Sequence, residues 1–151
     1  MERKYIGITT LSLVGLLALT QYEGFSNKAY LDIGGVPTYG YGTTKNVRIG
    51  DKIDEKGARS RLLKEVKDEY GVALNKCIKV PLNQSEYDAY ISLSYNIGTI
   101  AFCKSTLVKK LNQQQYEEAC KEVLRWNRVK TKIVPGLVKR RQQEYKMCME
   151  K

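Results

Sequence analysis

The chain of 151 residues contains no histidine. That absence removes Ser-His-Asp and Cys-His nucleophilic catalysis, together with the usual histidine-bearing zinc sites. The four cysteines, Cys77, Cys103, Cys120 and Cys148, stand far apart with no C-x-x-C pair, which argues against a metal knuckle or a thioredoxin-like motif. No metal and no cofactor is expected. There are only three prolines, and no Pro/Ser-rich linker, repeat or low-complexity tract divides the chain. A length of this size then predicts a single core. Apolar residues at 42% and charged residues at 28% are ordinary for a globular protein and exclude disorder.

Acidic residues are also scarce relative to basic ones: 16 Asp and Glu face 26 Lys and Arg, a formal charge of +10. Such a balance favours a polyanionic partner, whether nucleic acid, an anionic membrane leaflet or a bacterial wall with its carboxylates and phosphates. The plain alternative is a solvated basic surface, since the basic residues are spread from Arg3 to Lys151. The densest tract, Lys139-Arg140-Arg141, is too short to argue for DNA. With no nucleic-acid motif elsewhere, a specific nucleic-acid partner is not expected.

One long uncharged run stands out. Arg3 and Lys4 precede YIGITTLSLVGLLALTQY, Tyr5 to Tyr22, which is just long enough to cross a bilayer as a helix of about 20 residues. Thr9, Thr10, Ser12, Gly7, Gly15 and Thr20 dilute its Leu and Ile, so insertion should be marginal. Three readings compete. A cleaved signal peptide lacks a small-x-small site before Glu23, and a plain core helix is supported by the helical spacing of Leu16, Leu19 and Tyr22. The favoured reading is a weak, uncleaved anchor with its positive end in the cytoplasm. Residues 1–22 are then an apolar signal-anchor segment continuing into the first helix, and residues 23–151 the catalytic domain.

The stretch ALTQYEGFSNKAYLDIGGVPTYGYGTT, Ala18 to Thr44, carries the chemistry. Glu23 ends an apolar segment, whereas Asp32 and Thr38 fall in a glycine-rich turn region. A carboxyl beside apolar side chains keeps its proton and acts as an acid, while one in a polar turn stays ionised. The C-terminal end of a helix dipole would push Glu23 the same way as burial. Taken singly, Glu23 reads as a surface glutamate, Asp32 as a turn residue and Thr38 as a strand threonine. Together they make the acid/base set that glycoside hydrolysis needs.

Turn and cap signals give the layout. Ala29–Leu31 and Pro37–Tyr41 read as short strands about Gly34-Gly35. Asp54 is a good N-cap for a long helix towards Cys77, with Leu62, Leu63, Val66, Tyr70, Ala73 and Leu74 as its apolar stripe, and Pro81 closes it. Asn83 with Glu86 is a capping box, and Gly98 is a stop. Ser105 caps a helix to Leu111, another spans about Gln114 to Trp126, and a last follows Pro135-Gly136. The expected fold is α+β and mostly helical: a small β lobe before a larger helical lobe, with a cleft between them.

The segment EGF at Glu23, followed by AYLDIGGVPTYGYG, resembles the N-terminal signature of the phage-type lysozymes, the endolysins of glycoside hydrolase family 24. The intervals of nine from Glu23 to Asp32 and six from Asp32 to Thr38 match that family's Glu/Asp/Thr set. So do VPLNQSEYDAYISLSYNIGTIAFCKSTLVKKLN and the later RWNRVK and IVPGLVKRR. The resemblance covers about residues 11 to 149 and implies a lysozyme-like two-lobed fold. It makes Glu23 the general acid for the bond between N-acetylmuramic acid and N-acetylglucosamine, Asp32 the base or electrostatic partner, and Thr38 a residue that helps place the attacking water. The anomeric centre would be inverted. Tyr95, Asn96 and Ser105 match substrate-facing positions, although Tyr95 alone reads equally as core packing. Thr43 stands where many members carry a histidine, which puts a stabilising contact in question and leaves hydrolysis intact.

The apolar N-terminus also resembles the signal-anchor-release segments of some of these endolysins. That implies a monomer held at the host inner membrane and then freed to the periplasm, with peptidoglycan as substrate; the alternative is residence in the host cytoplasm until membrane disruption. An oxidising periplasm suits two disulfides, with four buried thiols as the alternative. Of three connectivities, Cys120 with Cys148 and Cys77 with Cys103 is the expected one. The rival functions are a catalytically inactive wall-binding or membrane-anchored protein, and lytic transglycosylase chemistry on the same bond.

Overall fold

The computed structural model describes Arg3 and residues 10–150. It has the expected small β lobe and larger helical lobe. Helix α1 (Leu13–Glu23) leads into the antiparallel strands β1 (Ser26–Leu31) and β2 (Pro37–Gly40). Helix α2 (Glu55–Glu65) runs through a π-helical stretch, Val66–Gly71, into α3 (Val72–Cys77). Then come α4 (Gln84–Ile97), α5 (Thr99–Cys103), α6 (Thr106–Asn112) and α7 (Tyr116–Glu122), the small hairpin β3 (Arg128–Val129) and β4 (Lys132–Ile133), and α8 (Pro135–Met149).

Helix α4 is the axis of the larger lobe. Every residue from Glu86 to Ser94 is buried, so the helix is enclosed on all sides, and α1, α5, α8 and the π-helical stretch pack around it. Its start is fixed by the capping box: the Asn83 side chain accepts from the Glu86 backbone N–H at 2.8 Å, and Glu86 accepts from the Asn83 N–H at 2.9 Å. The other carboxylate edge of Glu86 takes the Arg3 guanidinium, which also lies 3.6 Å over the Tyr116 ring. The chain near its N-terminus is thereby pinned to α4.

Helix α1 is placed by its N-terminal end. Ser12 caps it, accepting from the Gly15 N–H at 3.1 Å, and donates its own backbone N–H to Asp88 of α4 at 3.0 Å. The Ser12 hydroxyl donates to the other Asp88 oxygen. Gly15 sits where this approach is closest: a Cβ there would meet the Asp88 carboxyl carbon at 2.7 Å. At the far end Gly24, with φ +69°, stops the helix and returns its N–H to the Thr20 carbonyl at 3.0 Å. Leu19 between them is fully buried, while Leu13, Val14 and Leu17 face solvent. Among the described residues no helix is long and apolar enough to cross a membrane, and the first five residues of the apolar segment, 5–9, lie outside those residues.

Several local expectations shift. Leu63, expected in the apolar stripe of α2, is exposed, whereas Leu62, Val66 and Leu74 are buried as the periodicity requires. The π-helical stretch explains the slip, because an extra residue per turn rotates the faces on either side of it. The helix expected from Gln114 begins at Tyr116, since Gln114 has φ +63° and belongs to the preceding turn; its end, Val123–Arg125, tightens to 3-10 geometry. Two disulfides, Cys77–Cys103 and Cys120–Cys148, join α3 to α5 and α7 to α8 with Cα separations of 5.6 and 5.7 Å.

Because Leu19 is the buried anchor that holds α1 on the core, Leu19→Ala is expected to destabilise the protein by about 2–5 kcal/mol. Urea denaturation followed by far-UV circular dichroism measures this.

Candidate active site

Glu23 is the last residue of α1, and its carboxyl sits at a cleft of about 320 Å³ between the β lobe and α4. Gly42, Thr44 and Lys45 approach from the β-lobe side, and Tyr95 and Asn96 from α4. Gly42 has φ +84°, and a Cβ there would lie 3.5 Å from the Tyr95 hydroxyl and 3.7 Å from a Glu23 oxygen. The turn therefore needs glycine for its backbone and brings the chain against the carboxyl. The Tyr95 hydroxyl donates to the Tyr41 carbonyl at 2.8 Å, and its ring lies 4.9 Å from that of Tyr70. Tyr95 packs against the core and also lines the cleft. On the other side of Gly24, Phe25 packs on Tyr41 with ring centroids 5.6 Å apart.

Glu23 is fixed by a residue far away in sequence. Arg140 of α8 donates to Glu23 Oε1 at 3.0 Å, to the Ser92 carbonyl at 3.0 Å and to Glu144 at 3.4 Å, with its guanidinium 4.6 Å from the centre of the Tyr22 ring. Burial pushes the Glu23 carboxyl above its usual range, with the Arg140 ion pair and then Arg141 pulling the other way. The Glu23 side chain keeps only 19% of its exposure. An acid so placed holds its proton to higher pH than a surface glutamate.

Behind Arg140 lies a buried network. Glu144 and Arg141 are both fully enclosed, with Arg141 Nη1 2.9 Å from Glu144 Oε1. The Ser92 hydroxyl donates to Glu144, and Arg141 Nη2 donates to Asn96 Oδ1. The tract Lys139-Arg140-Arg141 is therefore not a basic surface at its last two positions. Sequence reasoning missed Arg140; the signal present was a glutamate, Glu144, one helical turn after two adjacent arginines.

Asp32 and Thr38 lie together on the β1–β2 hairpin. The Asp32 carboxylate accepts the Val36 N–H at 2.9 Å across the turn, and the buried Thr38 hydroxyl donates to the Val36 carbonyl at 2.9 Å. Both are thus organised by one residue, Val36. Neither lines the cleft at Glu23, which the β lobe reaches instead through Gly42 to Lys45. Ser105 caps α6, accepting from the Val108 N–H and donating to the Phe102 carbonyl at 2.6 Å; it borders a separate hollow of about 350 Å³ with Lys104, Arg125 and Trp126. Thr43 is fully buried and pairs its backbone with Tyr39, both N–H···O distances being 3.0 Å.

A half-buried carboxyl in a cleft between a β hairpin and a helical lobe supplies one of the two carboxyl groups that a glycoside hydrolase of the lysozyme fold uses. The phage lysozyme family model matches residues 20–144, and the chain belongs to that family. It is 44% identical over 138 residues to an endolysin of Acyrthosiphon pisum secondary endosymbiont phage 1, covering 89% of this chain and 94% of that one. It is 39% identical to the SAR-endolysin of Pseudomonas phage phiKMV, over 92% and 86% of the two chains. A crystal structure of a P22 lysozyme mutant superposes with a TM-score of 0.86 at 32% identity, over 93% of this chain and 99% of the other.

Arg140 favours the ionised form of Glu23, so its removal leaves burial unopposed. Arg140→Gln is expected to raise the Glu23 pKa further, read directly by carbon-detected NMR titration of the side-chain carboxyl.

Proposed function

We propose that Glu23 is the general acid of a muramidase that hydrolyses the β-1,4 bond between N-acetylmuramic acid and N-acetylglucosamine in peptidoglycan. Family membership makes the chain a lysozyme acting in cell lysis; the residue roles are the reading offered here. The observation that carries it is the Glu23 carboxyl itself, at the end of a helix anchored on the core by Leu19, open to the cleft on one side and held by Arg140 on the other. The proton goes from Glu23 to the glycosidic oxygen as the C–O bond breaks. Water attacks the opposite face, with Asp32 as base or electrostatic partner and Thr38 helping to place that water. Support for the last two is their shared position on the hairpin, where Val36 fixes both side chains, together with their spacing from Glu23.

The N-terminal segment fits a signal anchor that leaves the inner membrane, so that α1 can pack and deliver Glu23. Two features support this. Relatives bear the name SAR-endolysin, and the placement of α1 depends on Ser12 and Gly15, which belong to the same apolar run. The protein then works as a monomer in the periplasm, where its disulfides form.

Glu23→Gln should lower the rate of clearing a purified wall suspension by at least about 100-fold, the scale of a lost general acid. Mass analysis of the muropeptides should show reducing muramic acid ends; anhydro ends would make the enzyme a lytic transglycosylase instead. In cells expressing the full chain, collapse of the membrane potential is expected to move the protein from the membrane to the soluble fraction. Protein that is soluble throughout, or that stays in the membrane after collapse, refutes release.

A further inference from the structure

Asn96 closes one end of the cleft on α4, and the orientation of its side chain is decided from behind. Its Oδ1 accepts from Arg141 Nη2. A guanidinium has only donors, so the amide cannot turn its NH2 group that way without setting donor against donor. Arg141 is itself immobile: it is fully buried, with its other terminal nitrogen 2.9 Å from Glu144, whose second oxygen is held by Ser92 and Arg140. The planar amide thus leaves Nδ2 on the side away from Arg141. Asn96 is exposed, so the Nδ2 donor pair is open to solvent in the same cleft as the Glu23 carboxyl.

We propose that Arg141 is a positioning residue for substrate recognition: through Asn96 Oδ1 it locks the Asn96 amide so that its N–H groups are presented to an amide carbonyl of the glycan. The Tyr95 hydroxyl beside it is already committed to the Tyr41 carbonyl, so on the α4 wall of the cleft Asn96 is the side chain that offers a donor. Peptidoglycan offers amide carbonyls from two sources, the N-acetyl groups of the sugars and the stem peptide. The proposal rests on the muramidase reading and concerns binding rather than proton transfer. Pre-orienting the amide removes the rotamer freedom that substrate would otherwise have to freeze.

The test compares Asn96→Asp, Asn96→Ala, Arg141→Lys and the double variant Asn96→Ala/Arg141→Lys on purified peptidoglycan. Asn96→Asp keeps the acceptor for Arg141 and replaces the donor with a carboxylate whose charge Arg141 matches, so it should fold and raise KM at least about 3- to 10-fold, the worth of one hydrogen bond. Arg141→Lys should raise KM when Asn96 is present and leave it unchanged when Asn96 is already alanine. Additive effects, or an Asn96→Asp enzyme with wild-type KM, overturn the proposal. If Arg141→Lys does not fold, the Asn96→Asp measurement decides alone. Glycan strands stripped of stem peptide separate the two carbonyl sources: a defect that persists assigns the N-acetyl group, and one that vanishes assigns the peptide. A wild-type protein that releases no muramic acid ends defeats the reading of the reaction, whereas unchanged KM on a wall that wild type cleaves defeats only the role of Asn96 and Arg141.

Discussion

The Arg140 guanidinium is the point on which three helices agree. Glu23 closes α1, Ser92 offers its carbonyl from the middle of α4, and Glu144 lies one turn further along α8. A buried cation is costly unless every side of it is matched, and removing one partner exposes the full penalty on the others. The arrangement therefore favours one placement of α1 relative to α4 and α8, with Glu23 at its end. The same contact tempers the acid. Burial alone would leave the carboxyl hard to ionise, and the neighbouring cation draws that tendency back without cancelling it.

The opposite end of α1 is fastened as firmly. Asp88, nearly inaccessible on α4, receives the Ser12 backbone, the Ser12 hydroxyl and the Gln84 amide, which also reaches the Thr10 carbonyl. Anchored by Asp88 at one end and Arg140 at the other, an 11-residue helix has little freedom to slide. A shift by one residue would take Gly15 from the place where only a glycine fits and carry Glu23 out of reach of Arg140. Correct assembly of the N-terminal segment and correct presentation of the acid are one structural event.

Much of this was legible in the residues, because helix ends are written locally. Asp54, Asn83 with Glu86, Ser105 and Gly98 all mark boundaries that the structure shows, since each satisfies backbone groups within its own turn. The end of the apolar segment at Glu23 and the hairpin turn about Gly34-Gly35 were equally readable. What escaped was long-range or cooperative. Arg140 and Arg141 look like a surface tract until Glu23, Ser92 and Asn96 are folded against them from as far as 117 residues away. The π-helical stretch Val66–Gly71 carries no local signature, so the faces of α2 and α3 could not be phased through it and Leu63 was placed inside. The two-residue strands β3 and β4 are too short to announce themselves by alternation.

The cross-links have a mechanical consequence. Both bridges begin and end among the helices from α3 to α8, and neither reaches the β1–β2 hairpin. The hairpin region is held to the rest by non-covalent ties such as Tyr95 to the Tyr41 carbonyl, and Arg61 to Tyr39 and Lys45. Oxidation thus cross-links the helical platform alone, and the position of the hairpin beside the cleft rests on those weaker contacts.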